Sequence, residues 1–236
     1  MQLSRRLKAV ADLVTPQNRV ADVGCDHAYI SIYLIEHNIA KHVIAMDVNK
    51  GPLERAKANI SKKNLLDRID TRLSDGLEKL EPGEVDTILL AGMGGVLMIR
   101  ILEDGSESVQ SVNELILQPQ SEISIVRKYL HSIGFSIVHE HMLLEDGKYY
   151  DVMKAVRKEQ ITREETTYEK EVFYQYGKLM LENNDEVLKE YLRKEKETYL
   201  TVLDTLSRSQ TEKSLERIRE VNSLIDYINE ALNYYN

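Results

Sequence analysis

Tryptophan is absent from this chain and cysteine occurs once, at Cys25. No disulfide can form within it, and a reducing compartment is expected. Proline is scarce, four in 236 residues, and the stretch from 160 onward has none. No apolar run approaches the roughly 20 residues of a membrane span, so no membrane partner is expected. A basic surplus is missing too: 31 Lys and Arg stand against 39 Asp and Glu, a formal net charge of -8. That balance removes any whole-molecule electrostatic case for binding a polyanion and leaves the role to a local basic patch. The opening MQLSRRLKAVADLV runs from basic to apolar, as a secretory signal does. Lys8 and Asp12 interrupt the apolar part and no small-residue cleavage site follows, so it reads as an amphipathic helix. A soluble, cytoplasmic protein without a bound metal is the expectation.

What the chain does have is alternation. RVADVG (19–24), HVIAMDV (42–48), RIDTRLSDG (68–76), VDTILLAGMGG (85–95) and NELILQP (113–119) are short apolar runs that read as strands. Between them AYISIYLIEHN (28–38), GPLERAKANISKKN (51–64), a segment from Val96 to Glu103, and SEISIVRKYLHSIG (121–134) read as helices. Pro52 suits a first helical turn, Ser121 an N-cap and Gly134 a stop. This order predicts βαβ units and a parallel α/β sheet covered on both faces. The rhythm changes at FSIVHEHMLLEDGKYYDVMKAVRK (135–158), two extended runs joined across Asp146-Gly147, a hairpin signal. Five parallel strands and then an antiparallel pair differ from an ordinary dinucleotide-binding sheet, which adds a sixth parallel strand.

From about Gln160 the strands stop. Leu188, Leu192, Tyr199, Val202 and Leu206 step by three or four, and so do Leu215, Ile218, Val221, Ile225, Ile228 and Leu232. Two antiparallel amphipathic helices joined through SRSQTEKS (207–214) are expected. Their near-heptad spacing is coiled-coil-like, although two or three heptads are short for a free coiled coil. With 11 Lys and Arg against 16 Asp and Glu, the segment is no basic arm. The expected division is 1–159 for the α/β domain and 160–236 for a helical domain, with the boundary between Lys158 and Thr162.

The turn in VADVGCDHAYI (20–30) carries the chemical signal. Gly24, right after a buried strand, lets backbone approach a ligand, and the helix N-terminus beyond it offers free N–H groups. A dinucleotide fingerprint needs further glycines there. This chain has Asp26 and Ala28 instead, and a carboxylate repels a pyrophosphate but suits an ammonium. Asp47 ends the second strand, where an acidic residue accepts from both ribose hydroxyls. Asp75-Gly76 ends the third, where a carboxylate can accept from an adenine amino group. AGMGG (91–95) ends the fourth and removes side chains beside the same crevice. All four points fall at carboxyl ends of successive parallel strands, where open α/β sheets bind ligands. Blander readings stand beside these. Asp22 fits either helix capping and local hydrogen bonding or an indirect ligand role. Asp47 and Asp75 are also turn formers, and Gly92, Gly94 and Gly95 also serve tight turning. His27 reads as an N-terminal helix residue, and Cys25 as a small filler.

An ammonium, a ribose and an adenine held by such a sheet describe S-adenosyl-L-methionine. On VADVGCDHAYI, AMDVNKGPLERAKANI, SDGLE, AGMGG and LILQPQ, the chain resembles the bacterial tRNA (adenine-22-N1)-methyltransferase family, class I S-adenosylmethionine-dependent enzymes, over its whole length. The resemblance implies a Rossmann-like seven-stranded sheet with an antiparallel terminal hairpin, plus a C-terminal α-helical, coiled-coil-like domain. It implies that Gly24 approaches the cofactor and Asp26 lies near its amino-acid end, with Asp22, Cys25 and His27 in the same set. Asp47 would hold the ribose, Val48 would lie beside the adenine, and Asp75 and Gly76 would meet its edge. Ala91, Gly92 and Met93 would line the space by the sulfonium methyl. The resemblance suggests that the C-terminal helices help hold the tRNA body, while position and charge make Arg5, Arg6, Tyr29, Gly94, Gly95 and Arg100 the candidates for substrate contact. AGMGG stands where many amino-group methyltransferases carry Asn/Asp-Pro-Pro-Tyr/Phe. That argues against exocyclic amino methylation and leaves no catalytic base to carry over.

The chemistry tolerates that absence, because N1 of adenine has a free lone pair and bears no proton. Electrostatic or positioning roles fall to Asp26, Gly92 and Met93, while Tyr29 either stacks on the base or packs. The base must be unpaired or extruded. Arg5, Arg6, Lys8 and Arg100 supply local positive charge. Lys189, Arg193 and Lys196 share a helical face that is either a narrow contact strip or simply solvated. A monomer or weak homodimer is expected. Competing readings are a class I methyltransferase for another RNA, a protein or a small molecule; an NAD-dependent dehydrogenase, against which Asp26 and the hairpin weigh; and a non-enzymatic RNA-binding scaffold.

Overall fold

The five apolar runs form strands β1 (Arg19–Val23), β2 (His42–Asp47), β3 (Ile69–Leu73), β4 (Thr87–Met93) and β5 (Glu114–Pro119) in the computed structural model, which describes residues 3–157, 168–208 and 211–235. β1, β2 and β5 bury almost every residue, as strands covered on both faces do. Around them lie α1 (Arg5–Asp12), α2 (Tyr29–Glu36), α3 (Lys50–Lys62), α4 (Gly95–Asp104), α5 (Ser106–Ser111) and α6 (Ile123–Ser132). β6 (Phe135–Glu145) and β7 (Lys148–Arg157) form the expected hairpin, turning on Asp146 and Gly147 at φ 50° and 75°. Two successive positive φ angles are what a type I′ turn requires.

The sheet order is β3-β2-β1-β4-β5-β7-β6. β1 to β5 pair in parallel, and β7 pairs antiparallel with both β5 and β6. Strand order reverses between β1 and β4, which opens a crevice beyond their carboxyl ends. The hairpin is fastened to α6 by a fully buried Arg127, which donates to Glu140 at 3.0 Å and to Asp151 at 2.8 Å.

Two local expectations are corrected. Ser121 does not cap α6: the cap is Glu122, left-handed at φ 48° and without a side-chain cap bond. The Ser121 carbonyl instead accepts from the Gly95 N–H at 3.1 Å, and its hydroxyl bonds the Glu122 carboxylate, so α4 holds this residue away from the capping position. The short helix α5 was not anticipated, since SESVQS is too brief to display a periodic apolar face.

By its internal packing the chain divides into units Met1–Thr166 and Thr167–Asn236. The expected boundary at 159/160 lies outside the described residues. The second unit holds α7 (Glu171–Tyr176), α8 (Lys178–Glu182), α9 (Glu186–Ser207) and α10 (Glu212–Leu232). α9 and α10 run antiparallel: Lys196 donates to Asn229 at 2.6 Å, and the Tyr235 hydroxyl donates to the Asp185 carbonyl at 3.0 Å. Burial is complete at Leu188, Leu192, Val221 and Ile228, yet Leu215 is half exposed. The apolar stripe is therefore filled where α7 packs on α10 and open towards the 208–211 connection. Among the described residues no helix is long and apolar enough to cross a membrane, and no His/Cys/Asp/Glu group could hold a metal.

Candidate active site

The turn after β1 is fixed by its backbone. The N–H groups of Gly24 and Cys25 both donate to the Met46 carbonyl, at 2.8 and 2.9 Å, which pins the turn to β2. Gly24, Asp26 and Ala28 all take positive φ, 75°, 49° and 58°. Glycine adopts this region freely, and aspartate tolerates it better than most residues. The carboxylate of Asp26 is left open to solvent. One turn earlier, Asp22 is buried in β1 and accepts from the Ser31 hydroxyl of α2 at 2.5 Å. Burial pushes its carboxyl up to about 6, with the Ser31 hydrogen bonds pulling the other way. Asp22 is thus hydrogen-bonded within the fold and also lines the first of the cavities at this end of the sheet. The Cys25 thiol is also pushed up by burial, which suits a filler rather than a nucleophile.

Two cavities of about 250 and 370 Å³ open at the carboxyl ends of the strands and share Gly24 as a common wall. The first is lined by Arg6, Asp22, Cys25, Asp26, Tyr29, Ala91, Gly92 and Gln120. The second is lined by Asp47, Val48, Asp75, Gly76, Met93 and Arg100, with Asn49, Ser74, Leu97 and Ile101. Between them β4 carries a bulge: its register with β5 shifts between Ala91 and Met93, and Gly92 sits at φ 78°. A bulge re-aims the following side chain, and here Met93 packs against Gly24. In the second cavity Asp47 accepts from the Asn49 N–H at 2.8 Å, and its carbonyl accepts from the Ser74 N–H at 3.0 Å. The ends of β2 and β3 are thereby locked together.

Helix α1 closes one side of the first cavity. Its backbone N–H groups at Arg5 and Arg6 donate to Glu145 at 2.6 and 3.4 Å, the hairpin's carboxylate standing at the positive end of the helix. The Arg6 guanidinium donates to Gln118 at 2.8 Å and lies 5.4 Å from the Tyr150 ring centre.

Most expected residues thus converge on one crevice, and a few do not. His27 lines neither cavity; it stacks on Tyr29 at 5.2 Å and lies 3.6 Å from Asp26. Arg5 lines neither. Gly94 and Gly95 stand behind the crevice, where a β-carbon on Gly95 would come within 2.5 Å of the Ser121 carbonyl, so close helix packing explains that glycine. Arg100 sits with Asp47 and Asp75 rather than with Arg6. Sequence reasoning missed Gln120, although it follows the end of β5 as Asp75 follows that of β3. Leu97 and Ile101 lie on the helix expected from Val96 to Glu103, but the pattern does not say that this face meets the second cavity.

Four carboxylates, Asp22, Asp26, Asp47 and Asp75, face a crevice that contains one guanidinium per cavity. Such a donor set accepts from hydroxyl and ammonium groups and repels a diphosphate. The family described as a methyltransferase domain matches residues 3–153. Over 155 residues the chain is 38% identical to the tRNA (adenine(22)-N(1))-methyltransferase of Bacillus subtilis, covering 66% of this chain and 65% of that enzyme. The aligned part therefore spans just under two thirds of that relative. The crystal structure of the B. subtilis M1A22 tRNA methyltransferase TrmK matches with a TM-score of 0.86 at 28% identity, covering 98% of this chain and 99% of that one. M. capricolum TrmK, solved with S-adenosyl-homocysteine, matches with a TM-score of 0.86 at 26% identity over 100% of both chains. With its fold and its relatives in agreement, the chain belongs to the methyltransferase domain family.

Proposed function

We propose that this chain transfers a methyl group from S-adenosyl-L-methionine to N1 of adenine 22 in the D-arm of tRNA. The observation that carries the reading is the run of carboxylates at successive strand ends around Gly24. These residues fit the cofactor by the chemistry of their acceptors. Asp47 accepts from ribose hydroxyls, Asp75 from the adenine amino group, and Asp26 from the ammonium, while Val48 and Leu97 give the second cavity apolar walls. When bound, the cofactor supplies an electrophilic methyl on its sulfonium.

The remaining work falls to the protein's own residues. Adenine N1 needs no deprotonation, so the site needs alignment and a favourable field rather than a base. The Asp26 carboxylate and the carbonyls of the Gly92 bulge stabilise the positive charge that grows on the methylated ring. Tyr29, at the mouth of the first cavity and partly exposed, offers a ring face to an extruded base. Arg6 holds α1 against the cavity and contributes local positive charge towards the flanking phosphates. Incubating the protein with a labelled methyl donor and unmodified tRNA, then digesting to nucleosides, tests the reading. Label in 1-methyladenosine at position 22 is expected. Label at another base or on a small acceptor would replace the substrate, and no label at all would remove the activity.

A further inference from the structure

We propose that Gln120 selects the target adenine by binding its Hoogsteen edge, N6 and N7, an inference that rests on the activity proposed above. Two glutamines flank Pro119 at the end of β5, and they are used differently. Gln118 is fully buried; its carbonyl is taken by Arg6 at 2.8 Å and its amide donates to the Pro119 carbonyl at 3.3 Å. Gln120 is exposed at the wall of the first cavity with Asp26, Tyr29 and Gly92, and its carboxamide makes no hydrogen bond among the described residues. Its backbone is anchored nonetheless: the Gln120 N–H donates to the Met93 carbonyl at 2.8 Å, tying it to the bulged end of β4. The carboxamide nitrogen lies only 3.8 Å from where a β-carbon on Gly92 would be. A fixed stem and an unengaged polar head in a ligand cavity is the arrangement of a reading residue.

The chemistry of the head chooses the base. A carboxamide presents one acceptor and two N–H donors side by side, matching the N6 amino group and N7 of adenine. Guanine shows acceptors at both positions, O6 and N7, and would oppose the glutamine carbonyl. The carboxylates in this cavity only accept and Arg6 only donates, so neither pairs with N6 and N7 of adenine at once, as a carboxamide does. A base held by its Hoogsteen edge keeps N1 unengaged. The residue that recognises the base therefore leaves the reacting atom free.

The test uses the full chain and tRNA assembled by ligation with adenosine or 7-deazaadenosine at the target position, comparing kcat/KM for wild type, Gln120→Ala and Gln120→Met. Wild type is expected to lose about three- to tenfold on 7-deazaadenosine, the range of the single hydrogen bond that N7 accepts. Both variants are expected to lose a similar factor on adenosine and to show little further loss on 7-deazaadenosine, with cofactor affinity by calorimetry unchanged. Gln120→Met keeps side-chain length and removes both polar atoms, so the comparison survives if the alanine variant folds poorly. Wild-type kcat/KM in either folded variant, or an equal 7-deaza penalty in wild type and variants, would overturn the assignment while leaving the methyltransferase reading intact. Failure of wild type to methylate adenine at all would remove both.

Discussion

A β-carbon on Gly24 would lie 2.3 Å from the terminal methyl of Met93. The two residues meet where the strand order reverses, one at the end of β1 and the other on the bulge of β4. Gly24→Ala therefore faces two obstacles, and they differ in kind. The Met93 methyl is the far end of a flexible side chain and can swing away, whereas φ of 75° is set by the turn. We expect Gly24→Ala to lose about 1–2 kcal/mol of stability from backbone strain alone. Cofactor affinity by calorimetry should fall at least about tenfold, because the turn must shift. Adding Met93→Ala should not restore the stability; recovery in the double variant would show that contact, not backbone, was limiting.

The buried carboxyl of Asp22 makes stability depend on pH. Its folded value of about 6 lies above the ordinary carboxylate value near 3.8. Between those values the folded chain holds a proton that the unfolded chain releases. The group's contribution is thus full in acid and lost as pH rises through about 6. Asp22→Asn abolishes this slope. Urea unfolding at about pH 4.5 and pH 8 should show the variant gaining on wild type by roughly 2 kcal/mol across the interval. A constant difference would mean that Asp22 titrates normally.

Asp47 accepts from the Asn49 N–H while remaining on the wall of the second cavity. Asp47→Asn keeps the shape and removes the charge. Dissociation constants for S-adenosylmethionine should rise about 10- to 100-fold, the weight of a charged hydrogen bond, with little change in thermal midpoint. Equal affinity would place the ribose elsewhere.

Arg127 is a structural prediction rather than a functional one. Replacing it by Leu leaves Glu140 and Asp151 buried without their common cation, at a cost of about 3–5 kcal/mol. Denaturant unfolding of Arg127→Leu should show this, and Arg127→Met combined with Glu140→Gln and Asp151→Asn should recover most of it. Should the single variant unfold like wild type, the triad contributes little.

Local pattern made some of this protein legible and left the rest dark. The alternating runs, Gly24 with Asp26, and Asp146-Gly147 each announce themselves within ten residues, because strand period, turn chemistry and backbone sterics act at that range. The sheet's antiparallel end followed from the hairpin alone. Ser121 looked like a cap because the rule is local, while the Gly95 N–H that holds its carbonyl arrives from another helix. Leu215 fits the helical stripe and is half exposed, since periodicity says which face is apolar but not how far along the packing continues. Gln120 and Gln118 look alike in sequence; burial in β5 and the docking of Arg6 separate the occupied amide from the open one.

The carboxylate of Glu145 accepts from backbone N–H groups at Arg5 and Arg6, at the opposite end of the α/β unit's sequence. During synthesis the ribosome delivers the first helix long before its anchor, and the segment that fastens it is nearly the last of that unit to emerge. The nascent chain therefore lacks this fastening of the wall of the first cavity until translation of the unit is almost complete.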